Sequence, residues 1–184
     1  MVAFCADYRV RKVHNVTPDK CVMDAKSAIR FIRENSLDLC IDPERILASG
    51  GSAGGHLASS LALLPLFNDP SDNARISCIP NALILFNPVL DTSNFKRLGK
   101  NSINLSPYHH IKKNAPDTLI LHGTKDKIVH HDQSVKFRKK MDEFKNRCEL
   151  ELYKDMPHSF FNSEKYKETL RRAEKFIRSL NWID

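Results

Sequence analysis

Four short apolar runs with helical patterns between them set the tightest limit on what this chain can fold into. "ILAS" (46–49), "ALILF" (82–86), "TLILHG" (118–123) and "CELELY" (148–153) have the length of strands and are too short for ordinary helices. Ahead of them, Thr17 stands as an N-cap with Pro18 at the first helical position. Val22, Ala25, Ile29 and Ile32 then recur at helical spacing, Cys21 and Ala28 widen that stripe, and the helix is expected to end near Asn35. Residues 54–64 form a second helical pattern, stopped by Pro65; its Leu57, Leu61 and Leu64 with Ala58 and Ala62 predict a largely buried helix. Further helices are expected near 132–145 and 164–180, with irregular chain over 91–116. Strand and helix alternating in this way predict an α/β fold: a mostly parallel sheet flanked by helices on both faces, in one domain spanning 1–184. Val2 to Val10 reads as an additional strand at the N-terminus.

Composition removes several function classes. The chain has 184 residues with 41% apolar content, enough for a sizeable core. No apolar run approaches the roughly 20 residues that span a bilayer, and "MVAFCADYRV" meets charge too early for a signal-peptide core. Cys5, Cys21, Cys40, Cys78 and Cys148 are widely spaced with no CxxC pair, so neither a disulfide framework nor a zinc site is expected. A reducing, cytoplasmic setting fits best. The net charge of +7 comes from Lys and Arg interleaved with Asp and Glu. Even the densest cluster, "KFRKK" (136–140), reads as the solvated face of an amphipathic helix, so no nucleic-acid or membrane partner is expected.

Gly50-Gly51-Ser52-Ala53-Gly54 fits G-x-S-x-G, and it falls where a strand turns sharply into a helix. A serine on such a turn is held in a strained conformation above the sheet. Side chains at 50 and 54 are expected to clash, which glycine avoids. The Ala53 N–H, at the start of the helix, would face a developing oxyanion. Two phosphate-binding readings fail: no Lys follows to make a P-loop, and the glycines do not give the G-x-G-x-x-G register.

A serine nucleophile needs a general base oriented by an acid, on loops after later strands. Asp126 follows the strand 118–123 and His158 follows the strand 148–153. Loops at the carboxyl ends of parallel strands share one edge of the sheet, so Ser52, Asp126 and His158 are the expected triad. Asp91, in "NPVLD", is the alternative acid. His56 rises along the helix away from the serine and reads as structural or surface, and His122 as a packed, hydrogen-bonded histidine. The adjacent pairs His109-His110 and His130-His131 do not easily face one metal, and no metal is expected. Tyr108, Phe160 and Phe161 are possible pocket residues, with simple packing the competing reading.

These segments resemble the α/β-hydrolase esterases, especially the acetyl-esterase and lipase-like branch that includes xylan acetyl and feruloyl esterases. "DYRV" (7–10), "IDPERILASGGSAGGHLA" (41–58), "NPVLD" (87–91), "LILHGTKDKIV" (119–129) and "PHSFFN" (157–162) look like that group's successive landmarks over nearly the whole chain. The resemblance implies a serine carboxylic-ester hydrolase of short acyl esters, with Ser52 attacking, His158 as base then acid, Asp126 orienting the imidazole, and no cofactor. Met156 and Ser159 beside the histidine, and "VHH" (129–131) after the acid, depart from the family's usual residues.

"DYRV" resembles the family's fourth strand. The strands ahead of it and the HGGG-type loop that gives a second oxyanion donor have no counterpart in this sequence, so an N-terminally truncated version of the fold is expected. Loss of one such donor costs on the order of 10²- to 10³-fold in rate. A weakly active or non-catalytic assembly or binding module is therefore the alternative, with a serine peptidase of the prolyl-oligopeptidase kind a further one. An N-terminal strand lacking its neighbours also predicts a homo-oligomer joined there; light scattering tests it, and a concentration-independent single-chain mass would contradict it.

Overall fold

The structure is a computed structural model, and it describes residues 1–183. Four strands, β1 (Leu47–Gly51), β2 (Ala82–Phe86), β3 (Asp117–Gly123) and β4 (Cys148–Tyr153), form one sheet in the order β1-β2-β3-β4. Every pairing is parallel, with Leu47 opposite Ala82, Ala82 opposite Asp117 and Thr118 opposite Cys148. The α-helices are α1 (Arg11–His14), α2 (Pro18–Glu34), α3 (Ala53–Leu63), α4 (Asn101–Asn104), α5 (Asp132–Glu143) and α6 (Tyr166–Ser179).

Both faces of the sheet are covered because side chains alternate along each strand. Leu83, Leu85 and Ile120 point to one side, where Ala58 and Leu61 of α3, Phe137 and Met141 of α5, and Ile29 of α2 pack on them. Ala82, Ile84, Leu119 and Leu121 point to the other and meet Ala173, Phe176 and Ile177 of α6. Fully buried leucines and phenylalanines of this kind each contribute about 1.5–3 kcal/mol. Helix α3 is buried from Gly55 to Leu63, as its sequence predicts. The "KFRKK" stretch turns Phe137 inward and leaves Lys136, Arg138 and Lys139 exposed.

Thr17 and Asn35 bound α2, but the Thr17 hydroxyl caps nothing; Pro18 at the first position is what fits the start. Fully buried Lys26 of the same helix donates to the carbonyls of Leu64 (2.7 Å) and Leu66 (2.5 Å), and Arg30 reaches the Ile76 carbonyl and Asp72. These two cations hold down the chain that returns from α3 to β2.

The N-terminal expectation is corrected. Residues 1–10 form no strand and are mostly exposed, with the short α1 following. They lie against α2, where Arg9 Nε bonds Asp24 Oδ1 at 2.9 Å and the Cys21 thiol donates to the Arg9 carbonyl. A strand exists only through a ladder, and β1, at the sheet edge, pairs with β2 alone. Val2 to Val10 has strand-like residues but no partner, so the association expected at that strand has no preformed strand to use. No helix of the described residues is long and apolar enough to cross a membrane.

Candidate active site

The carboxyl ends of β1, β3 and β4 bring the candidate residues to one rim of the sheet. Ser52 follows β1 directly with φ 53° and ψ −112°, a positive-φ conformation that side-chain-bearing residues rarely adopt. The turn is pinned on both sides: Ser52 N–H donates to the Phe86 carbonyl (2.9 Å), while the Ser52 carbonyl accepts from His56 N–H (3.0 Å) and Val89 N–H (3.3 Å). The strained serine is thus tied to β2, to the loop after it and to the first turn of α3. Ala53 N–H finds no acceptor among the described residues, as expected for a first helical donor.

The glycines are not equivalent. A Cβ on Gly50 would lie 2.9 Å from the Gly54 Cα and closer still to its carbonyl, and backbone cannot yield as a side chain can. A Cβ on Gly54 would meet nothing within 4 Å, so the reciprocal clash expected from the sequence is absent. On Gly51 it would strike the Phe161 ring, and on Gly55 it would strike Pro88. Gly54→Ala is therefore expected to leave the fold intact and raise stability by up to about 1 kcal/mol through helix propensity. Gly50→Ala is expected to cost about 1–3 kcal/mol or more, as overpacking does. Urea unfolding of the two variants checks this, and equal stabilities would contradict it.

Asp126 and His158 meet directly, with His158 Nδ1 at 2.6 Å from Asp126 Oδ2. The other oxygen, Oδ1, accepts from the Ile128 and Val129 N–H groups, both at 2.9 Å. Burial pushes the Asp126 carboxyl up, but the His158 bond and these two backbone donors outweigh it and hold it below the usual value. His158 is half-buried, and its Nε2 lies 3.5 Å from Asn87 Nδ2. Among the described residues no hydrogen bond joins that nitrogen to Ser52 Oγ. Such contacts are often loose before substrate binds.

The rival residues sort by their contacts. Asp91 Oδ1 accepts from Ser93 N–H (2.9 Å) and Ser106 Oγ (3.3 Å) and lies 3.8 Å from His109 Nδ1; its hydrogen bonds keep it to the loop after β2. His56 is buried with Nε2 2.7 Å from the Leu105 carbonyl, a structural role. His122 is wholly buried: Nε2 faces the Val129 carbonyl (2.9 Å) and Nδ1 faces Ser134 Oγ (2.7 Å). It also lies 3.3 Å from Asp126 Oδ2, so it braces the acid loop, which the sequence did not disclose. Phe160 is core, its ring tilted against Tyr153 with centroids 4.8 Å apart, and Phe161 packs on Phe86 at 4.8 Å beneath the elbow. Tyr108 is partly buried beside the Lys140 ammonium.

The adjacent imidazoles of His130 and His131 are stacked 4.8 Å apart, so this pair shares one side although adjacent histidines are not expected to face one metal easily. With Asp132 their ligand atoms lie within 4.8 Å of one another, and Asp132 already sits 3.1 Å from His130 Nδ1. Asn87 and Gln133 also went unrecognised in the sequence. The Gln133 side-chain Oε1 accepts from Leu90 and Asp91 N–H (3.0 and 2.9 Å), tying α5 to the loop after β2.

Two buried imidazoles make stability pH-dependent. Burial lowers both His56 and His122 from the ordinary 6.5, only partly offset by the carbonyls they face. The unfolded chain therefore binds more protons below about 6.5. Their contribution is complete above that pH and is lost as pH falls through it toward the lowered folded values. Asp126, lowered from 3.8, adds a further loss in more acid solution. Unfolding free energy is expected to decline between about pH 7 and 5, with a shallower slope in His56→Gln; a flat wild-type profile would contradict this.

Comparison with known proteins agrees with this architecture. The BD-FAE family matches residues 1–97 and the prolyl oligopeptidase family matches residues 82–181. Esterase LipQ of Mycobacterium tuberculosis is 29% identical over 156 residues, covering 72% of this chain and 37% of LipQ. Endo-1,4-beta-xylanase B of Butyrivibrio fibrisolvens is 32% identical over 138 residues, 66% of this chain and 21% of that protein. The chain thus spans between about a fifth and two fifths of these curated relatives. The apo form of Thermogutta terrifontis esterase 2 superimposes with a TM-score of 0.93 at 40% identity, covering 97% of this chain and 71% of that one. That esterase has also been solved phosphorylated by paraoxon and with propionate or butyrate bound. Sheet order, strained serine turn and relatives all lead to one assignment: this chain belongs to the BD-FAE family, its second half also matches the prolyl oligopeptidase family, and it shares the fold of Thermogutta terrifontis esterase 2.

Proposed function

We propose that the chain is a serine carboxylic-ester hydrolase for short acyl esters, with Ser52 as nucleophile, His158 as base and Asp126 as the group orienting it. The observation that carries this reading is a serine held at φ 53° at the end of β1, on the same sheet rim as a histidine bonded to a buried carboxylate. Ser52 Oγ attacks the ester carbonyl while its proton passes to His158 Nε2, and the negative charge that forms on the carbonyl oxygen faces the Ala53 N–H. His158 then returns the proton to the departing alkoxide, leaving the acyl group on Ser52. Water repeats the sequence, giving its proton to His158 and releasing the acid with Ser52 restored. Asp126 keeps the Nδ1 proton in place throughout.

Short acyl groups are favoured by the likeness to an esterase solved with propionate and butyrate. The prolyl-oligopeptidase match over residues 82–181 supports a peptide substrate as the second reading. Paraoxon or a fluorophosphonate should attach to the peptide carrying Ser52, and p-nitrophenyl acetate should be hydrolysed faster than aminoacyl p-nitroanilides. Labelling without turnover would point instead to a non-catalytic module, and no labelling would remove the nucleophile from the proposal.

A further inference from the structure

Asn87 follows β2 directly and is fully buried, yet its φ of 34° is one that side-chain-bearing residues seldom take. Asn tolerates this region better than most. Its backbone N–H donates to the Leu121 carbonyl at 2.8 Å, fixing it between β2 and β3. Its side chain spans to the histidine loop, where Oδ1 accepts from the Ser159 N–H at 3.1 Å. Ser159 itself sits at φ 63°, in the left-handed region.

That bond decides which end of the amide faces the imidazole. With Oδ1 committed to Ser159, the group 3.5 Å from His158 Nε2 is the amide NH₂, which can only donate. A donor there is compatible with a lone pair on Nε2 and not with a proton. Asp126 on the far side accepts from Nδ1–H, so the ring is addressed from both ends in the same sense. His122, beyond Asp126, is the next ionisable group and bonds the carboxylate loop, not this ring.

We propose that Asn87 is a positioning residue for the general base, holding the His158 loop through Ser159 and donating to the Nε2 lone pair of the neutral ring until the Ser52 hydroxyl takes the amide's place. This rests on the proposed role of His158, but its effect is readable without catalysis. Donation to the neutral ring disfavours the imidazolium, so removing the donor favours protonation, and a carboxylate in its place favours it further.

The experiment is an NMR titration of His158 in the Ser52→Ala background, the ring assigned by its loss in His158→Gln. The midpoint is expected to rise in Asn87→Ala and to rise more, by roughly one pH unit or more, in Asn87→Asp, which keeps an oxygen for the Ser159 N–H. Unchanged midpoints in both folded variants would overturn the proposal. Should either variant fail to fold, the wild-type chain gives the answer. Its Asn87 side-chain amide resonances should move with the His158 midpoint and lose that movement in His158→Gln; amide signals indifferent to that titration would equally overturn it. Failure of the triad reading would show separately, as hydrolysis that survives His158→Ala.

Discussion

Ser52→Ala is expected to reduce hydrolysis of p-nitrophenyl acetate by on the order of 10⁴- to 10⁶-fold, with thermal stability essentially unchanged. The separation of the two effects follows from the local structure. The turn is held by backbone bonds from Ser52 N–H to Phe86 and from the Ser52 carbonyl to His56 and Val89, all of which survive the substitution. No hydrogen bond of the Ser52 hydroxyl to His158 is lost, since the two are not bonded before substrate enters. Ala must take the same φ of 53° as Ser and carries the same Cβ, so the strain is common to both. A surface-like change within about 0.5 kcal/mol is therefore expected. The Ala53 N–H and the His158–Asp126 pair remain, and any residual rate reports water activated by that pair. A variant within tenfold of the parent would exclude the acyl-enzyme route. Unfolding at a much lower denaturant concentration would show instead that the hydroxyl supports the turn.

The legible parts of this fold are those written in local pattern. β2 and β4 fall on the residues expected from apolar runs, and β1, β3 and the main helices lie within a few residues of expectation. The serine turn was readable because glycine spacing and a strand-to-helix junction coincide. The Asp126–His158 pair was readable because parallel strands put their following loops on one rim. What escaped depended on distant partners. Val2 to Val10 has the composition of a strand, yet pairing decides, and no ladder forms there. Gly54 looked as constrained as Gly50 in the motif, but only a side chain on Gly50 would meet backbone. His122 and Asn87 act through residues 4 to 72 positions away, and nothing in the local pattern marks these contacts.

The strain at Ser52 and the buried polar bonds around His158 share one origin. A parallel sheet ends in a row of carboxyl-terminal loops, and each backbone group there must find a partner outside the ladder. Ser52 N–H, Asn87 N–H and Thr124 N–H each donate to a neighbouring strand: to Phe86 (2.9 Å), Leu121 (2.8 Å) and Tyr153 (3.0 Å). These bonds register the loops as tightly as the strands beneath them. The site is thereby assembled on rigid elements, which is what keeps Ser52, Asp126 and His158, on loops after different strands, in fixed relation.

Asp126→Asn should be nearly as damaging as removal of the serine, at about 10⁴-fold in kcat near neutral pH, and the structure says why. Oδ1 is held by the Ile128 and Val129 N–H groups, so the introduced amide must keep its oxygen there. Its NH₂ then falls where Oδ2 was, 2.6 Å from His158 Nδ1, and a donor now faces a donor. Moving the ring proton to Nε2 would remove that clash only by turning a donor toward the Asn87 NH₂ and by blocking the nitrogen proposed to accept from Ser52, so neither neutral tautomer serves. The backbone bonds of the acid loop and the His122 bond to Val129 are untouched, so the folded state should persist. Asp91→Asn is the matched control, because Asp91 serves Ser93 and Ser106 and approaches His109, not His158; a change of less than a few-fold is expected. Steady-state kinetics of the two variants side by side decide between the acids. A collapse in Asp91→Asn with Asp126→Asn near the parent would move the orienting carboxylate to the loop after β2.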